Sequence, residues 1–408
     1  MKLSIIICVY NTAYELVSDC LRSLTGSTLD DSSYEIVIID DGSTVDYTAL
    51  AEQYGARLVK TENRGIYQAR ILGIREARGE YIAYVDSDDT VSVNYHRPML
   101  ECAVESGADI VYNDWAFHTA KARYYLRRDS TISGDISCEG DAILERFLRS
   151  SGREHSYSVL WNKLFRRDLL LSVQDELSAI ELPPSYNYSE DTLINFYAHK
   201  SAKTLRNIHT GYYFYRSHPA QAVSVTSKEK LISHVNNMSF TLREMKRIVN
   251  KRNNSEGLCG MVDSWAAMMS RTHYSYARAE GYTDLYEVIK EAYSVDELRP
   301  STFSDGAVYH DTVLLAENFP DIDGALYEIW MSVGESIVHP SPDPYVNRTL
   351  DSFLSLGKPI RVEKGGRTIP APKISLTSRI LHNPLIYKLG MLLFPKGSKL
   401  RALLKRKL

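Results

Sequence analysis

The chain has 408 residues, with 48 Lys and Arg against 51 Asp and Glu, 44% apolar and 24% charged residues. This is ordinary globular content, long enough for two or three domains, and no apolar run approaches the roughly 18–20 residues that a membrane span requires. Five cysteines, Cys8, Cys20, Cys102, Cys138 and Cys259, are odd in number and widely spaced, which excludes a disulfide framework or a zinc site and reads as reduced, buried thiols in a cytoplasmic protein.

The first predicted element follows Met1-Lys2 at once, so no secretory leader is expected. Leu3 to Val9 is an apolar run ending in Tyr10-Asn11-Thr12, with an amphipathic stretch from Tyr14 to Leu24 behind it. Glu35 to Ile39 is a second strand, ending in Asp40-Asp41-Gly42-Ser43. Arg57-Leu58-Val59 is a short third, followed by Glu62-Asn63-Arg64-Gly65 and a helical pattern through Ile66, Ala69, Ile71, Leu72 and Ile74 to Gly79. The fourth run, Tyr81 to Val85, leads straight into Asp86-Ser87-Asp88-Asp89. Continuous apolar strands alternating with helices predict βαβ units and a parallel sheet, and every polar cluster falls at the carboxyl end of a strand, where ligands of such sheets bind. Three carboxylates within four residues repel one another, and hard oxygen donors of this kind suit Mg²⁺ or Mn²⁺, although a solvated turn would show the same residues.

Taken together, Val9-Tyr10-Asn11, Asp40-Asp41-Gly42-Ser43, Asn63-Arg64-Gly65 with Ala69-Arg70, and Asp86-Ser87-Asp88-Asp89 resemble the nucleotide-sugar-binding half of a family 2 glycosyltransferase with the GT-A fold. Trp161-Asn162-Lys163-Leu164-Phe165-Arg166, Ser189-Glu190-Asp191 and Tyr213-Phe214-Tyr215-Arg216 resemble the acceptor-side half, so the likeness covers roughly residues 1–225. One departure is Ala69-Arg70-Ile71, where family members often read Ala-Arg-Asn. The resemblance implies an inverting transfer from a nucleotide-sugar, a UDP-sugar first, to a hydroxyl of a glycan or lipid-linked glycan in cell-surface polysaccharide synthesis.

The resemblance also assigns roles. Asp40 meets uracil, with Val9, Tyr10, Asn11, Asn63 and Ser87 around the nucleotide; Asp41 lies nearby or is only part of a turn. Arg70 holds a phosphate, pairs with the aspartates or is a solvated helix residue. Asp88 is the first metal ligand and Asp86 reaches ribose or metal, the ion acting as a Lewis acid on the departing diphosphate. Asp191 matches the base that deprotonates the acceptor, although Glu190 and Asp191 also read as ordinary acids of a first helical turn. Glu190 is placed on the acceptor side. Trp161 stacks on a sugar or belongs to the core, and His218 contacts metal or diphosphate or is a surface residue.

Beyond residue 228 the strands stop. Val235, Met238, Leu242, Met245 and Val249, then Leu258, Met261, Val262, Trp265 and Met269, then Leu326, Ile329, Trp330, Val333 and Ile337, recur at helical spacing. The expected organisation is an α/β GT-A domain over residues 1–227 (1–115 nucleotide-sugar half, 116–227 acceptor half), a helical domain over 228–340, a Pro/Gly-rich linker over 341–375 and a basic amphipathic tail over 376–408. The first helical stripe has a coiled-coil-like spacing that admits a homo-oligomer. The tail holds eight Lys or Arg and no acid, while the rest of the chain carries 40 basic and 51 acidic groups. Its leucine faces point to an anionic membrane surface, hence a peripheral location at the inner face of the cell membrane, and its few aromatics disfavour nucleic acid. The competing classes are a nucleotidyltransferase, which would show a glycine-rich, lysine-containing phosphate loop after the first strand, and a non-catalytic sugar-binding or scaffold protein.

Overall fold

The computed structural model describes residues 1–298 apart from 26–28, 30–31, 92–94, 114, 120–123, 129–136, 152–157, 209–212, 216–224 and 226, together with 360–361 and 368–369. His218, the apolar stripe of residues 326–337 and the tail of 376–408 lie outside the described residues.

The chain divides into two compact units. The first holds residues 1–115, 129–213 and 218–307. Its first four strands are β1 (Leu3–Val9), β2 (Tyr34–Asp41), β3 (Arg57–Thr61) and β4 (Tyr81–Tyr84), separated by helices α1 (Tyr14–Thr25), α2 (Thr48–Gln53) and α3 (Ile66–Glu76). After the short β5 (Thr90–Val91) come α4 (His96–Ser106) and β6 (Ile110–Asn113). The second unit, residues 116–128, 214–217 and 308–408, contains most of β7 (Trp115–Thr119) and all of β8 (Tyr124–Arg128). The first unit resumes with β9 (Ser137–Glu139), α5 (Asp141–Ser151), β10 (Lys163–Arg166), α6 (Arg167–Ser178), α7 (Glu190–Ser201), β11 (Thr204–Ile208) and the start of β12 (Tyr213–Tyr215). It ends with α8 (Lys228–Val249), α9 (Ser255–Ala279) and α10 (Leu285–Tyr293).

One eight-stranded sheet runs in the order β3-β2-β1-β4-β10-β6-β11-β9. The first four strands are parallel, with Ile5 of β1 opposite Ile36 of β2 and Ala83 of β4. Strand β10 is inserted antiparallel between β4 and β6, with Leu164 opposite both Ala83 and Val111. The sheet is therefore mostly parallel, with an antiparallel seam at its centre. The apolar runs form strands because both faces are covered: Ile5, Ile6, Ile7, Ile38 and Ile39 are all fully buried. Helix α1 buries Val17, Cys20, Leu21 and Leu24, the spacing of a single apolar stripe.

The apolar stripes of α8 and α9 belong to the same core as the sheet. Val235, Met238, Leu242, Met245 and Val249, with Leu258, Val262, Trp265 and Met269, join Ile6, Ile82 and Phe165 in one cluster. The α8 stripe that admitted a homo-oligomer is thus buried inside its own chain. Among the described residues no helix is long and apolar enough to cross a membrane. Cys8, Cys20, Cys102 and Cys259 are free thiols.

The approach to β4 is set by Gly79. Its N–H donates to Ser4 Oγ at 2.8 Å, and a Cβ there would lie 2.5 Å from backbone atoms of Leu3 and Ser4. Backbone cannot move aside as a side-chain tip can, so Gly79→Ala is expected to destabilise the domain by about 1–3 kcal/mol, the range for overpacking. Urea unfolding checks this: the midpoint should fall with the slope unchanged.

Candidate active site

The loops at the carboxyl ends of β1 and β2 are built as one unit. Asn11 adopts a left-handed conformation, φ 51°, which Asn tolerates better than most residues. From there its Oδ1 accepts from the Thr44 N–H and hydroxyl, both at 2.8 Å, while its own N–H donates to Ser43 Oγ at 3.0 Å. Buried Asp40 accepts from Ser43 N–H at 2.9 Å. Asp41 takes the N–H groups of Arg64 and Gly65 at 2.9 and 2.8 Å, which fixes the loop that carries Asn63. Burial raises the Asp41 pKa, and those two backbone bonds oppose the rise. Gly42 has φ 78°, and a Cβ there would stand 2.6 Å from the Asn63 nitrogen, so only glycine lets the two loops close.

Five residues expected around the nucleotide, Tyr10, Asn11, Asp40, Asp41 and Asn63, therefore stand at one sheet edge. Tyr10 is 54% exposed on its rim, whereas the Val9 side chain is in the core, so only its backbone faces the loops. Ser87 is joined to the β1 loop through a 2.8 Å contact between its hydroxyl and that of Thr12.

The carboxylates after β4 are separated by their partners. Arg70 on α3 is buried, its guanidinium donating to Asp86 Oδ1 at 3.1 Å and to Glu190 Oε1 at 2.6 Å. Of the alternatives open for Arg70, pairing with an aspartate is the one observed. Burial pushes the Asp86 pKa up, the nearby Asp88 adds to the rise and Arg70 opposes it. Asp89 is fully buried and accepts from Tyr213 Oη at 2.8 Å, and the same phenol oxygen accepts the Asp86 N–H at 3.0 Å. Asp88 lies between them, partly exposed. Arg70 thus balances Asp86, and Tyr213 satisfies Asp89.

Trp161 is buried and stacks on Tyr213, ring centroids 4.1 Å apart and planes 15° from parallel. One indole face is thus taken by a neighbour inside the protein. Glu190, expected on the acceptor side, is 8% exposed and engaged by Arg70. Behind the site, burial pushes the Cys8 thiol up to about 12, so it stays protonated.

Asp191 follows Glu190 in the first turn of α7, beside that ion pair. Its Oδ1 accepts from Thr192 N–H at 2.7 Å. Burial, followed by the charge of Glu190, raises its pKa to about 7, against the pull of Arg70. Arg70 thus links a group at the end of β4 to the first turn of α7, and brings Asp86, Glu190 and Asp191 into one electrostatic neighbourhood.

Two residues of this arrangement escaped the sequence reading. Thr12 carries no signal beyond its place after β1. Tyr213 sits in the aromatic run noted above, but nothing local reveals that its hydroxyl reaches residues 86 and 89.

Removing one partner of a buried ion pair leaves the other charge uncompensated. Arg70→Met should therefore cost about 3–5 kcal/mol at pH 7. The loss should shrink toward pH 5, because Asp86, raised by burial and no longer opposed by Arg70 in the variant, takes up a proton as pH falls. Urea titrations of both proteins at the two pH values check this, and an equal loss at both would show that charge is not the cause.

Residues 4–172 match the family described as Glycosyl transferase family 2. The EpsH protein of Bacillus subtilis is 28% identical over 310 residues, covering 71% of this chain and 85% of its own. The poly(ribitol-phosphate) beta-glucosyltransferase of Bacillus spizizenii is 41% identical over 98 residues, 22% of this chain and 15% of its own length. Among solved structures, S. aureus TarS 1-349 in complex with UDP-GlcNAc superposes with a TM-score of 0.53 at 16% identity, covering 91% of this chain and 99% of that one. At that identity the likeness speaks for the fold, which is the mostly parallel sheet with flanking helices described above. Over residues 4–172 the chain is thus similar to the family 2 glycosyltransferases, and its mostly parallel sheet with flanking helices is the GT-A fold.

Proposed function

We propose that the enzyme transfers a sugar from a UDP-sugar to a hydroxyl of a glycan or lipid-linked glycan of the cell surface, inverting the anomeric carbon. What supports this reading is the place of Asp191 in the first turn of α7, beside the ion pairs of Arg70 with Glu190 and Asp86, where burial and the charge of Glu190 raise its carboxyl to about 7. A base is most effective when its pKa lies near the working pH. The UDP-GlcNAc bound by TarS and the glucosyltransferase named among the relatives support the donor and acceptor classes.

In this reading Asp40, with Asn11, Asn63, Ser87, the exposed Tyr10 ring and the Val9 backbone, receives the uridine. The acceptor oxygen attacks the anomeric carbon, the bond from that carbon to the diphosphate oxygen breaks, and UDP leaves with the bonding pair. Asp191 takes the acceptor proton. Glu190 and Arg70 hold the first turn of α7 in place, Arg70 also fixes Asp86, and Trp161 supports the Asp86–Asp89 loop from behind Tyr213.

A divalent ion fits the same loop. Among the described residues no group of three or more His, Cys, Asp or Glu gathers to hold a metal unaided. Asp86 and Asp88 nevertheless offer the one or two carboxylates that Mg²⁺ or Mn²⁺ uses when substrate phosphates and water complete its shell. When bound there, the ion would stabilise negative charge on the departing diphosphate. His218 is proposed as a further contact to the ion or the diphosphate.

Thermal-shift measurements with UDP-glucose, UDP-galactose, UDP-N-acetylglucosamine and UDP-N-acetylgalactosamine, with and without Mn²⁺, identify the donor, since a ligand that binds only the folded state raises the melting temperature. Asp191→Asn should leave that shift intact and lower turnover by roughly 10² to 10⁴. In the wild type, turnover should rise as pH increases through about 7, because the base must be ionised to act. A variant that loses donor binding, or a pH profile flat across that range, would remove the role of Asp191. Asp88→Asn should abolish the Mn²⁺-dependent part of the donor shift, and full activity in EDTA would rule the ion out.

A further inference from the structure

Of the four buried polar side chains that helix α8 carries beside its apolar stripe, three stand at i, i+3 and i+7: His234, Asn237 and Thr241, 2%, 1% and 0% exposed. This spacing puts them on one face of the helix. Buried polar groups are costly unless bonded, and these three are directed at the loop that leads into α7. Asn237 Nδ2 donates to Ser185 O at 3.1 Å. The Thr241 hydroxyl lies 2.5 Å from Tyr186 Oη and 2.7 Å from Ser189 Oγ, and itself donates to Asn237 O at 3.1 Å. His234 stacks face to face on Tyr188, centroids 4.0 Å apart.

The gripped loop is strained. Ser185 and Ser189 have φ of 56° and 67°, a conformation that non-glycine residues keep only where their surroundings impose it. They are the residues held by Asn237 and Thr241, and Ser189 immediately precedes Glu190 and Asp191. Helix α8 lies outside the stretch that matches the family, residues 4–172.

We infer that the His234–Asn237–Thr241 face of α8 is a positioning element for the transfer reaction, fixing the Ser185–Ser189 loop so that Asp191 stands where the acceptor proton must be taken. This rests on the reading of Asp191 as the base. Thr241, Asn237 and His234 act through the loop and touch neither donor nor acceptor. The helical region is then part of the catalytic apparatus as well as of the core.

The test uses the full chain and donor hydrolysis, in which water replaces the acceptor hydroxyl, read as UDP release from UDP-N-acetylglucosamine and UDP-glucose. Thr241→Val keeps the shape and removes the hydroxyl; kcat should fall about 10- to 100-fold, the scale of a small misplacement of a catalytic group. Donor KM should stay within about twofold, since uniform binding is untouched. Thr241→Ser, which restores the hydroxyl, should recover most of the activity. Tyr186→Phe, which keeps the ring and loses one bond to Thr241, should lower kcat without altering donor KM, and it serves if Thr241→Val folds poorly.

Unchanged kcat in both Thr241→Val and Tyr186→Phe would overturn the inference. So would a loss that appears in donor KM, or one that disappears when rates are expressed per folded molecule. Asp191→Asn run in parallel separates the two levels. If it retains wild-type turnover, the base assignment has failed; if it loses turnover while Thr241→Val and Tyr186→Phe keep the wild-type kcat, only the positioning role has failed.

Discussion

A buried guanidinium must be matched by carboxylates, and in this protein the match is made across the molecule. Arg70 leaves α3 and meets Asp86 after β4 and Glu190 at the head of α7, two groups far apart in the chain. An unpaired charge at that depth is strongly unfavourable, so the three elements are obliged to keep their register. Tyr84 adds to the constraint by donating to the Arg70 carbonyl at 3.2 Å. The loop after β4 and the first turn of α7 are therefore joined at a single ion-pair centre.

The two sides of the edge are built by different means. On the β1–β2 side, backbone amides do most of the work: Asp40 and Asp41 fold three N–H groups inward, and Gly42 permits the close approach. On the β4 side, side chains from distant segments do it, with Tyr213 satisfying both the Asp86 amide and the Asp89 carboxylate while Trp161 backs its ring. The first arrangement is local and its parts lie close together in the sequence. The second depends on partners more than a hundred residues away.

That difference explains what could be read in advance. Strands β1, β2 and β4 were legible because strands buried on both faces are unbroken apolar runs, and their polar endings marked the edge where Asn11, Asp40 and Asp86 stand. The α8 stripe through Val235 and Met245 was legible as a helix face for the same reason. Strand β10 was not legible as an antiparallel insertion, because Lys163-Leu164-Phe165-Arg166 is short and its direction is decided only by β4 and β6. The partners of Arg70 were left as alternatives, since pairing at that distance is tertiary. His234, Asn237 and Thr241 carry no signal in the sequence, because a buried polar side chain is recognisable only with its partner in view.

The antiparallel seam bears on how the chain comes to be folded. Strands β1 to β4 can pair as soon as they emerge from the ribosome, but the outer edge of β4 receives its neighbour only when synthesis has passed Arg166. Until then an apolar edge, Tyr81 to Tyr84, presents unpaired amides and carbonyls, the template on which foreign strands add. Strand β6 is made earlier yet waits for the same partner. Closing the sheet from its middle trades early independence of the β1–β4 half for a vulnerable interval during biosynthesis, in which a chaperone or a rapid collapse of α3 onto β1 would have most effect.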